Sequence, residues 1–338
     1  SAALEQRELI LQYKGDGIDW DFLLQQFSVT DWLHFIERLG FQTYKGTSRR
    51  YFIREMKAGR LLKVWLSHLK NLGCEFFYRH TCTAFAQTHE SIALQFSNGH
   101  IQSFSAVIFA LGGASALPTP AAWPQLFEAH GVHIVPFAAA NVGYNIAWKK
   151  DFIAEAANTP LKNIEFISPL GRKKGDIMIT EHGIEGTPVY FYGTTGACHL
   201  DLKIDLTAKE IEAKLSAVAE NLSPLRRAQK ILRLNKATQA LLFHEAPREA
   251  LNSISAISQV LKKFPLRLEN PRPLEEAISS TGGIALDAID SMFMLKKTQG
   301  VFVVGEMLDW SAPTGGFLIQ ACVAQGHAAA QGVINLKK

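Results

Sequence analysis

Two short apolar runs, each ending in glycine, constrain the fold of this chain more than any other feature of its sequence. The first, SAVIFALGG, covers residues 105–113, and the second, GVFVVG, covers residues 300–305. Continuous apolar runs of this kind are typical of strands buried on both faces, as in a parallel sheet. The segment 315–335 is rich in Ala and Gly and predicts a helix that packs closely on a sheet or a ligand. The sequence therefore predicts an α/β fold.

The residues before the first apolar run carry helix and hairpin patterns. Thr30 is a candidate N-cap residue for the apolar stripe that follows it. Asn98-Gly99 predicts a hairpin turn of type I′, in which both residues have positive φ. The predicted elements of this part are helices over 19–39 and 55–72, strands over 74–80 and 91–97, and a return strand that includes Ile101.

The middle of the chain, 138–278, has a different pattern and is predicted to be an inserted domain. Its β part, 138–206, holds short β-like stretches separated by Gly and Pro, and its helical part is 207–278. The outer segments, 1–137 and 279–338, would then form one discontinuous domain. The three β-like stretches are 164–167, 176–179 and 189–192.

Composition excludes several classes of protein. The chain has 338 residues, which is about two domains at roughly 150 residues each. Hydrophobic residues make up 47% and the net charge is +4, so disorder, collagen and coiled coil are excluded and a nucleic-acid partner is not expected. The sequence contains no apolar run long enough to span a membrane and no signal peptide at its start. Its four cysteines form no CxxC pair. Together these features predict a cytoplasmic protein without a metal site.

The most informative pattern lies between residues 305 and 317. A predicted buried strand ends at Gly305, Asp309 follows four residues later, and Gly315-Gly316 opens a helix. A helix start at the carboxyl end of a parallel strand offers free N–H groups to an anion or an electron-rich carbonyl, and Asp309 could accept from sugar hydroxyls. A strand–turn–helix without a ligand is the structural alternative for this pattern.

Two further patterns are weaker. The first apolar run ends in Gly112-Gly113, which lets another backbone or a cofactor come close. A basic run that begins at Arg49 and includes Arg50 and Lys57 could contact phosphates. A structural turn and a solvated helix face are the respective alternatives.

Several catalytic motifs do not occur in the sequence. It contains no Walker A motif and no G-x-S-x-G nucleophile elbow. The G-x-G-x-x-G fingerprint of dinucleotide-binding enzymes does not occur either, since Gly15-Asp16-Gly17 has Trp20 at the third glycine position and no apolar strand before it. Since none of these motifs occurs, motifs identify no catalytic residue.

The chain resembles a known bacterial family. TGGIALDAID, GVFVVGEMLDWSAPTGGFLIQACVAQG, RRYFIREMKAGRLLKVWL, ALGGASALP and Gly183-Ile184-Glu185-Gly186 follow the family's order over nearly the whole chain. They resemble segments of the YhiN-type, or BaiN-like, NAD(P)/FAD-dependent oxidoreductases, to which the flavoprotein aminoacetone oxidase is related. The resemblance implies a glutathione-reductase-like FAD-binding domain built from both chain ends, with an inserted β-barrel part and a helical part.

The resemblance also implies where FAD would bind and what the protein does. It implies a FAD-dependent oxidoreductase acting on a small molecule, for which a small amine is the first candidate, with NADH, NADPH or oxygen as the redox partner. No catalytic residue is placed by motif. The residues implied to bind the cofactor are Arg50, Lys57, Gly112, Gly113, Gly305, Glu306, Asp309, Thr314, Gly315, Gly316 and Phe317.

The sequence departs from the family pattern in three places. Arg49 and Ile53 stand where the family usually has Gly and Pro, and the strand with the G-x-G-x-x-G motif that opens the family lies upstream of Ser1. We therefore expect a truncated chain that lacks the first strand–helix unit. The alternatives to a flavoenzyme are a cofactor-less binding module or an inactive fragment and, more weakly, RNA binding through basic residues of the helical part: Arg226, Arg227, Lys230, Arg233 and Lys236.

Overall fold

The structure of this protein is a computed structural model that describes residues 2–46, 49–55, 57–88, 91–115, 121–217 and 222–336. The chain divides into two compact units, Ser1–Ala138 with Ser279–Lys338, and Ala139–Ile278. No helix among the described residues is long and apolar enough to cross a membrane.

The first part of unit 1 alternates helices with short strands. The helices are α1 (Gln6–Ile10), α2 (Trp20–Gln26), α3 (Val29–Arg38), α4 (Ala58–Asn71) and α5 (Pro124–Glu128). The strands are β1 (Thr43–Lys45), β2 (Tyr51–Ile53), β3 (Cys82–Gln87), β4 (Ile92–Phe96), β5 (Ile101–Phe104), β6 (Val107–Phe109) and β7 (Ile134–Ala140).

Unit 2 is made of an antiparallel sheet and a set of helices. Its strands are β8 (Tyr144–Asn145), β9 (Pro160–Ser168), β10 (Gly171–Ile179), β11 (Gly183–Glu185), β12 (Gly196–Asp201) and β13 (Phe264–Leu268). Its helices are α6 (Lys150–Ala156), α7 (Thr187–Tyr192), α8 (Ala208–Ser216), α9 (Pro224–Ile231), α10 (Lys236–Glu245) and α11 (Ile254–Lys262).

The chain then returns to unit 1 with three elements that complete it. They are β14 (Ser279–Ile284), β15 (Val301–Val303) and α12 (Phe317–Leu336). β15 pairs in parallel with β6, and Val301 lies opposite Val107. The two apolar runs of the sequence are therefore strands, as predicted, and the structure shows that they are parallel neighbours.

Burial agrees with the prediction for β15 but not for β6. Val301, Phe302 and Val303 are all buried, as expected of a strand covered on both faces. Ile108 in β6 is 39% exposed, so the expectation of burial on both faces was wrong for this strand in the structure. Segment 293–295 pairs antiparallel with the other edge of β15 through Leu295 N–H and Val303 N–H.

The predicted helix 19–39 is in fact two helices, because a helix cap interrupts it. The Ser28 side chain accepts from Asp31 N–H, and the Asp31 carboxylate accepts in return from Ser28 N–H at 2.8 Å. This capping box starts α3 at Val29, so Ser28 and not Thr30 is the N-cap residue. The prediction of helix 55–72 is confirmed by α4.

Three smaller predictions also need correction. Residues 74–80 form no strand, and Arg79 there has φ of +60°, which breaks an extended segment. The hairpin at Asn98-Gly99 is confirmed by the pairing of β4 with β5, but Gly99 alone has positive φ, so the turn is not type I′. Residues 189–192 are helical, because Pro188 starts α7 with its φ already suited to a helix.

The sheet of unit 2 has the order β13-β12-β9-β10-β11-β8, and β9 and β10 confirm two of the predicted β-like stretches. Asn145 in β8 exchanges backbone hydrogen bonds with Glu269 and Asn270, just beyond β13, so the two edges of the sheet are joined. A continuous core of buried apolar side chains lies between this sheet and the helices, with Phe152, Phe166 and Phe264 fully buried.

Candidate functional site

The candidate site lies in unit 1, at the carboxyl ends of β6 and β15. Since these two strands are parallel, the turn after Phe109 and the turn after Val303 leave the sheet at the same edge. The first turn contains Gly112 and Gly113, and the second contains Gly305 and Glu306. The fold therefore brings together two glycine turns that are almost two hundred residues apart in the sequence.

Gly113 lies where three segments meet. A Cβ atom at this position would lie 2.4 Å from Ser280 Oγ and 3.3 Å from the carbonyl oxygen of Glu306. Ser280 Oγ also accepts a hydrogen bond from Ala114 N–H at 3.0 Å. Only glycine leaves room for this close approach, which joins the ends of β6, β14 and β15. Gly112 accepts from Trp123 Nε1 through its carbonyl at 3.1 Å.

The backbone of Gly305 is held on both sides by side chains. Its N–H donates to Gln325 Oε1, and its carbonyl accepts from Trp310 Nε1, both at 2.7 Å. Gln325 is fully buried in α12. These bonds fix the first residue after β15 against the helix, and each is worth about 1 kcal/mol.

Asp309 is bonded to strand β14. Its Oδ1 accepts from Gly282 N–H at 2.9 Å, and its own N–H donates to the Ile284 carbonyl at 3.0 Å. The sequence predicted that Asp309 would bind a ligand hydroxyl. In the structure, one of its carboxylate oxygens stabilises the protein's own backbone.

Arg50 meets the glycine pair at the start of α12. Gly315 has φ of +129° and Gly316 has φ of +93°, a conformation that side chains other than glycine rarely adopt. A Cβ atom on Gly315 would lie 3.1 Å from Arg50 Nε. The guanidinium of Arg50 therefore packs on the backbone of Gly315, with Thr314 just before it. This cation and the helix start form a local electropositive surface.

An aromatic cluster supports the same helix start. Tyr13 stacks on Trp20 with ring centroids 4.5 Å apart, and Trp20 meets Trp310 edge-on at 5.4 Å. Tyr13 OH donates to the carbonyl oxygen of Phe317, the first residue of α12, at 3.1 Å. Burial raises the pKa of the Tyr13 hydroxyl, so this group remains a hydrogen-bond donor. The cluster fixes the position at which α12 begins.

Glu306 and Cys322 form a buried titratable pair beneath the turn. Burial raises the pKa of the Glu306 carboxyl, and its Oε1 atom is buried with no hydrogen-bond partner among the described residues. Burial, together with the charge of Glu306, raises the pKa of the Cys322 thiol to about 12. Cys322 is therefore an inert thiol at neutral pH, and Glu306 Oε1 is a polar atom without a hydrogen-bond partner among the described residues.

The structure brings most of the predicted residues together, but Lys57 stands apart. It is the exposed N-cap residue of α4, and within the described part of the chain no hydrogen bond or ion pair joins it to the other candidates. Met56 and residues 116–118, which belong to the segments that carried the resemblance, lie outside the described residues.

The sequence analysis missed several residues that build the site. Tyr13, Trp20 and Ser280 belong to no motif, and they reach the site only through the fold. Gln320 and Gln325 could have been noticed, because two glutamines on the inner face of an apolar helix need buried partners. Gln320 Nε2 donates to the Phe27 carbonyl at 3.1 Å and thus ties α12 to the α2–α3 junction.

Two other candidate chemistries have little support. Among residues whose placement is described, no group of His, Cys, Asp and Glu side chains could hold a metal ion. The basic residues of α9 are not all exposed, because Arg227 is buried and its Nε donates to the Leu222 carbonyl at 2.9 Å. An RNA would therefore find fewer accessible cations there than the sequence suggested.

Comparison with solved structures finds several distant likenesses. They include the Diels-Alderase PyrE3 of pyrroindomycin biosynthesis (10% identity, TM-score 0.34, 92% of this chain and 56% of that chain). They also include 3-ketosteroid delta1-dehydrogenase from Sterolibacterium denitrificans (11%, 0.29, 75% and 58%) and pyridoxine 4-oxidase from Mesorbium loti (11%, 0.22, 74% and 57%). The chain spans less than two thirds of the length of each.

A comparison with curated proteins gives no match to this chain. A family model described as the HI0933-like protein Rossmann domain matches residues 2–332, which is nearly the whole chain. The parallel pairing of β6 with β15, followed by a helix that starts at a glycine pair, agrees with a Rossmann-type α/β fold. The chain therefore belongs to the HI0933-like Rossmann-domain family.

Proposed function

We propose that this chain forms part of a FAD-dependent oxidoreductase that acts on a small molecule. The observation that carries the proposal is the packing of the Arg50 guanidinium on Gly315 at the start of α12, the helix that follows the parallel strand β15. A cation and the positive end of a 20-residue helix act together on the same small region. This arrangement suits an anionic or electron-rich group of a cofactor.

The residues of the site fit a flavin dinucleotide. Glu306 offers a buried carboxyl oxygen without a protein partner, which suits the hydroxyl groups of a ribityl chain. A Cβ atom on Gly112 would meet no other atom within 4 Å, so the backbone there is open to a ligand. When bound, FAD would supply the hydride and electron chemistry.

The protein groups in this proposal bind and stabilise, and none of them is assigned as a catalytic base. Gly315 and Gly316 keep side chains away from a flat ring, and the N–H groups at the helix start have no intrahelical partners of their own. The helix start and Arg50 together favour negative charge at the ring edge that faces them. Asp309 is bonded to β14 through Gly282 N–H.

The finer parts of the proposal concern the substrate, the redox partner and the domains. The resemblance to YhiN-type, or BaiN-like, flavoproteins supports a small amine as the first substrate to test, and NADH, NADPH or oxygen as the redox partner. We also propose that the discontinuous unit 1 carries the FAD site, in a glutathione-reductase-like arrangement, and that the middle unit is an inserted domain with a β-barrel part.

The test is the visible absorption spectrum of the purified protein before and after addition of FAD, with FMN as the control ligand. We would measure both this chain and the full-length protein that its gene encodes. We expect flavin bands in the protein fraction, and stronger uptake of FAD than of FMN. A full-length protein that purifies colourless and takes up neither flavin would overturn the proposal and favour a cofactor-less binding module.

A further inference from the structure

Unit 1 contains a large cavity that the proposed cofactor binding does not use. Its volume is about 890 Å³, which lies in the range of small-molecule pockets. α2, segment 286–296 and the C-terminal half of α12 form its walls. The apolar part of its lining includes Ile18, Phe22, Leu23, Ile289, Phe293 and Ala328.

The charged residues of this cavity are mostly acidic. Asp19, Asp287 and Asp290 line it together with a single lysine, Lys296. Lys296 Nζ donates to the backbone carbonyl of Asp287 at 2.8 Å. Three carboxylates against one lysine give the lining an excess of acidic groups, which disfavours an anionic occupant.

The carboxylates have hydrogen-bonding capacity left for a ligand. Asp19 Oδ1 accepts from Phe22 N–H at 3.0 Å, and Asp290 Oδ1 accepts from Met292 N–H and Met294 N–H at 2.9 Å. Within the part of the chain that the structure describes, these bonds use one oxygen of each carboxylate, and no side-chain bond of Asp287 occurs. The free oxygens can pair with a cation.

A smaller and more polar cavity adjoins the large one. Its volume is about 380 Å³, and both cavities are lined by Gly17, Leu286 and Asp287. The smaller cavity extends to Asp309 of the candidate cofactor site. Asp287 thus lies between an apolar chamber and a polar channel.

We infer that the large cavity binds a small organic cation with an apolar or aromatic body. The apolar walls would cover the body of the ligand, and the rings of Phe22 and Phe293 would add cation–π attraction. The carboxylates, Asp287 above all, would hold the positive charge. This binding site needs no flavin, so the inference stands or fails independently of the proposed redox function.

The test uses three aromatic probes of similar size and different charge, measured by isothermal titration calorimetry on the complete 338-residue chain. The cation is benzyltrimethylammonium, whose charge is permanent. The neutral probe is benzyl alcohol and the anion is benzenesulfonate. We expect the cation to bind at least about tenfold more tightly than the neutral probe, and the anion not to bind.

Matched substitutions locate the site. Asp287 is exposed at the cavity edge, so Asp287→Asn should leave the fold intact and weaken cation binding several-fold without changing the binding of benzyl alcohol. Asp151→Asn, an exposed aspartate of unit 2, is the control and should change neither. Gln331→Trp, which places a large ring at the cavity wall, should weaken both cation and alcohol binding.

Three results would overturn the inference. The first is a cation that binds no more tightly than benzenesulfonate. The second is an equal effect of Asp287→Asn and Asp151→Asn. The third is a Gln331→Trp protein with unchanged melting temperature and unchanged affinity for the cation.

Discussion

Ser280 Oγ occupies the space that a side chain at Gly113 would need, since a Cβ atom built on Gly113 would lie 2.4 Å from it. The same oxygen accepts from Ala114 N–H at 3.0 Å. One hydroxyl therefore joins the turn after β6 to β14, and it can do so only because residue 113 is glycine.

We expect Gly113→Ala to destabilise unit 1 by about 1–3 kcal/mol, because the added methyl group must displace Ser280 or the strand ends. Urea denaturation followed by tryptophan fluorescence measures this, since Trp148 alone among the six tryptophans belongs to unit 2. Gly326→Ala is the control. A Cβ atom there meets no other atom within 4 Å, so this helical substitution should stabilise by about 0.5–1 kcal/mol. An unchanged Gly113→Ala protein would contradict the packing described here.

Tyr13→Phe tests how the start of α12 is held. Phenylalanine keeps the stacking on Trp20 but removes the hydroxyl that donates to the Phe317 carbonyl at 3.1 Å. We expect a loss of about 0.5–1.5 kcal/mol in the free energy of unfolding, measured in the same way. Tyr78→Phe, at a side chain that is 67% exposed, should cost much less. Equal losses in both variants would show that the hydrogen bond contributes nothing.

Some elements of unit 1 could be predicted from sequence because their signals are local. The run 300–305 is uniformly apolar and gave a buried strand, and the glycine pair at 315–316 marked a helix start. Residues 187–192 show the limit of such signals. Val189 and Tyr190 favour strands, but Pro188 and the preceding turn placed them in α7.

Other features depend on contacts between distant parts of the chain, so no local pattern predicts them. Tyr13 reaches Phe317 across 304 positions of sequence. Ile108 is as apolar as its neighbours in the run, so its residue type does not predict that 39% of it is exposed. That exposure depends on which elements pack against β6. Arg50 and Gly315 were found from a basic run and a glycine pair in the sequence, as well as from the resemblance to a family. The packing of the Arg50 side chain on the Gly315 backbone is visible only in the structure.

Glu306→Gln gives a prediction about pH. Because burial raises the pKa of Glu306 in the folded protein above its ordinary value of 4.5, the folded state holds the proton more tightly than the unfolded state. The wild type therefore loses stability as pH rises from about 4.5 through the raised pKa. Glutamine does not titrate, so the variant should gain stability relative to the wild type over that interval.

The measurement is the urea midpoint of both proteins at several values between pH 4.5 and about pH 8. Glu75→Gln, at an exposed position of unit 1, is the control and should differ from the wild type by the same amount at every pH. If the difference between Glu306→Gln and the wild type is also constant across this range, the carboxyl does not titrate in a buried environment.

The structure and the family resemblance give different expectations for Arg50 and Lys57. The resemblance implied that both bind the cofactor, whereas the structure packs only the Arg50 guanidinium on Gly315. Under the proposed function, Arg50→Gln removes a cation from the helix start, and we expect the dissociation constant for FAD to rise about tenfold, or about 1.4 kcal/mol. Lys57→Gln, at the exposed N-cap of α4, should change this dissociation constant less than about twofold.

Quenching of flavin fluorescence during titration measures both constants, and the urea midpoint of each variant checks that the fold is unchanged. Equal effects at the two positions would mean that the contact of Arg50 with Gly315 does not set cofactor affinity.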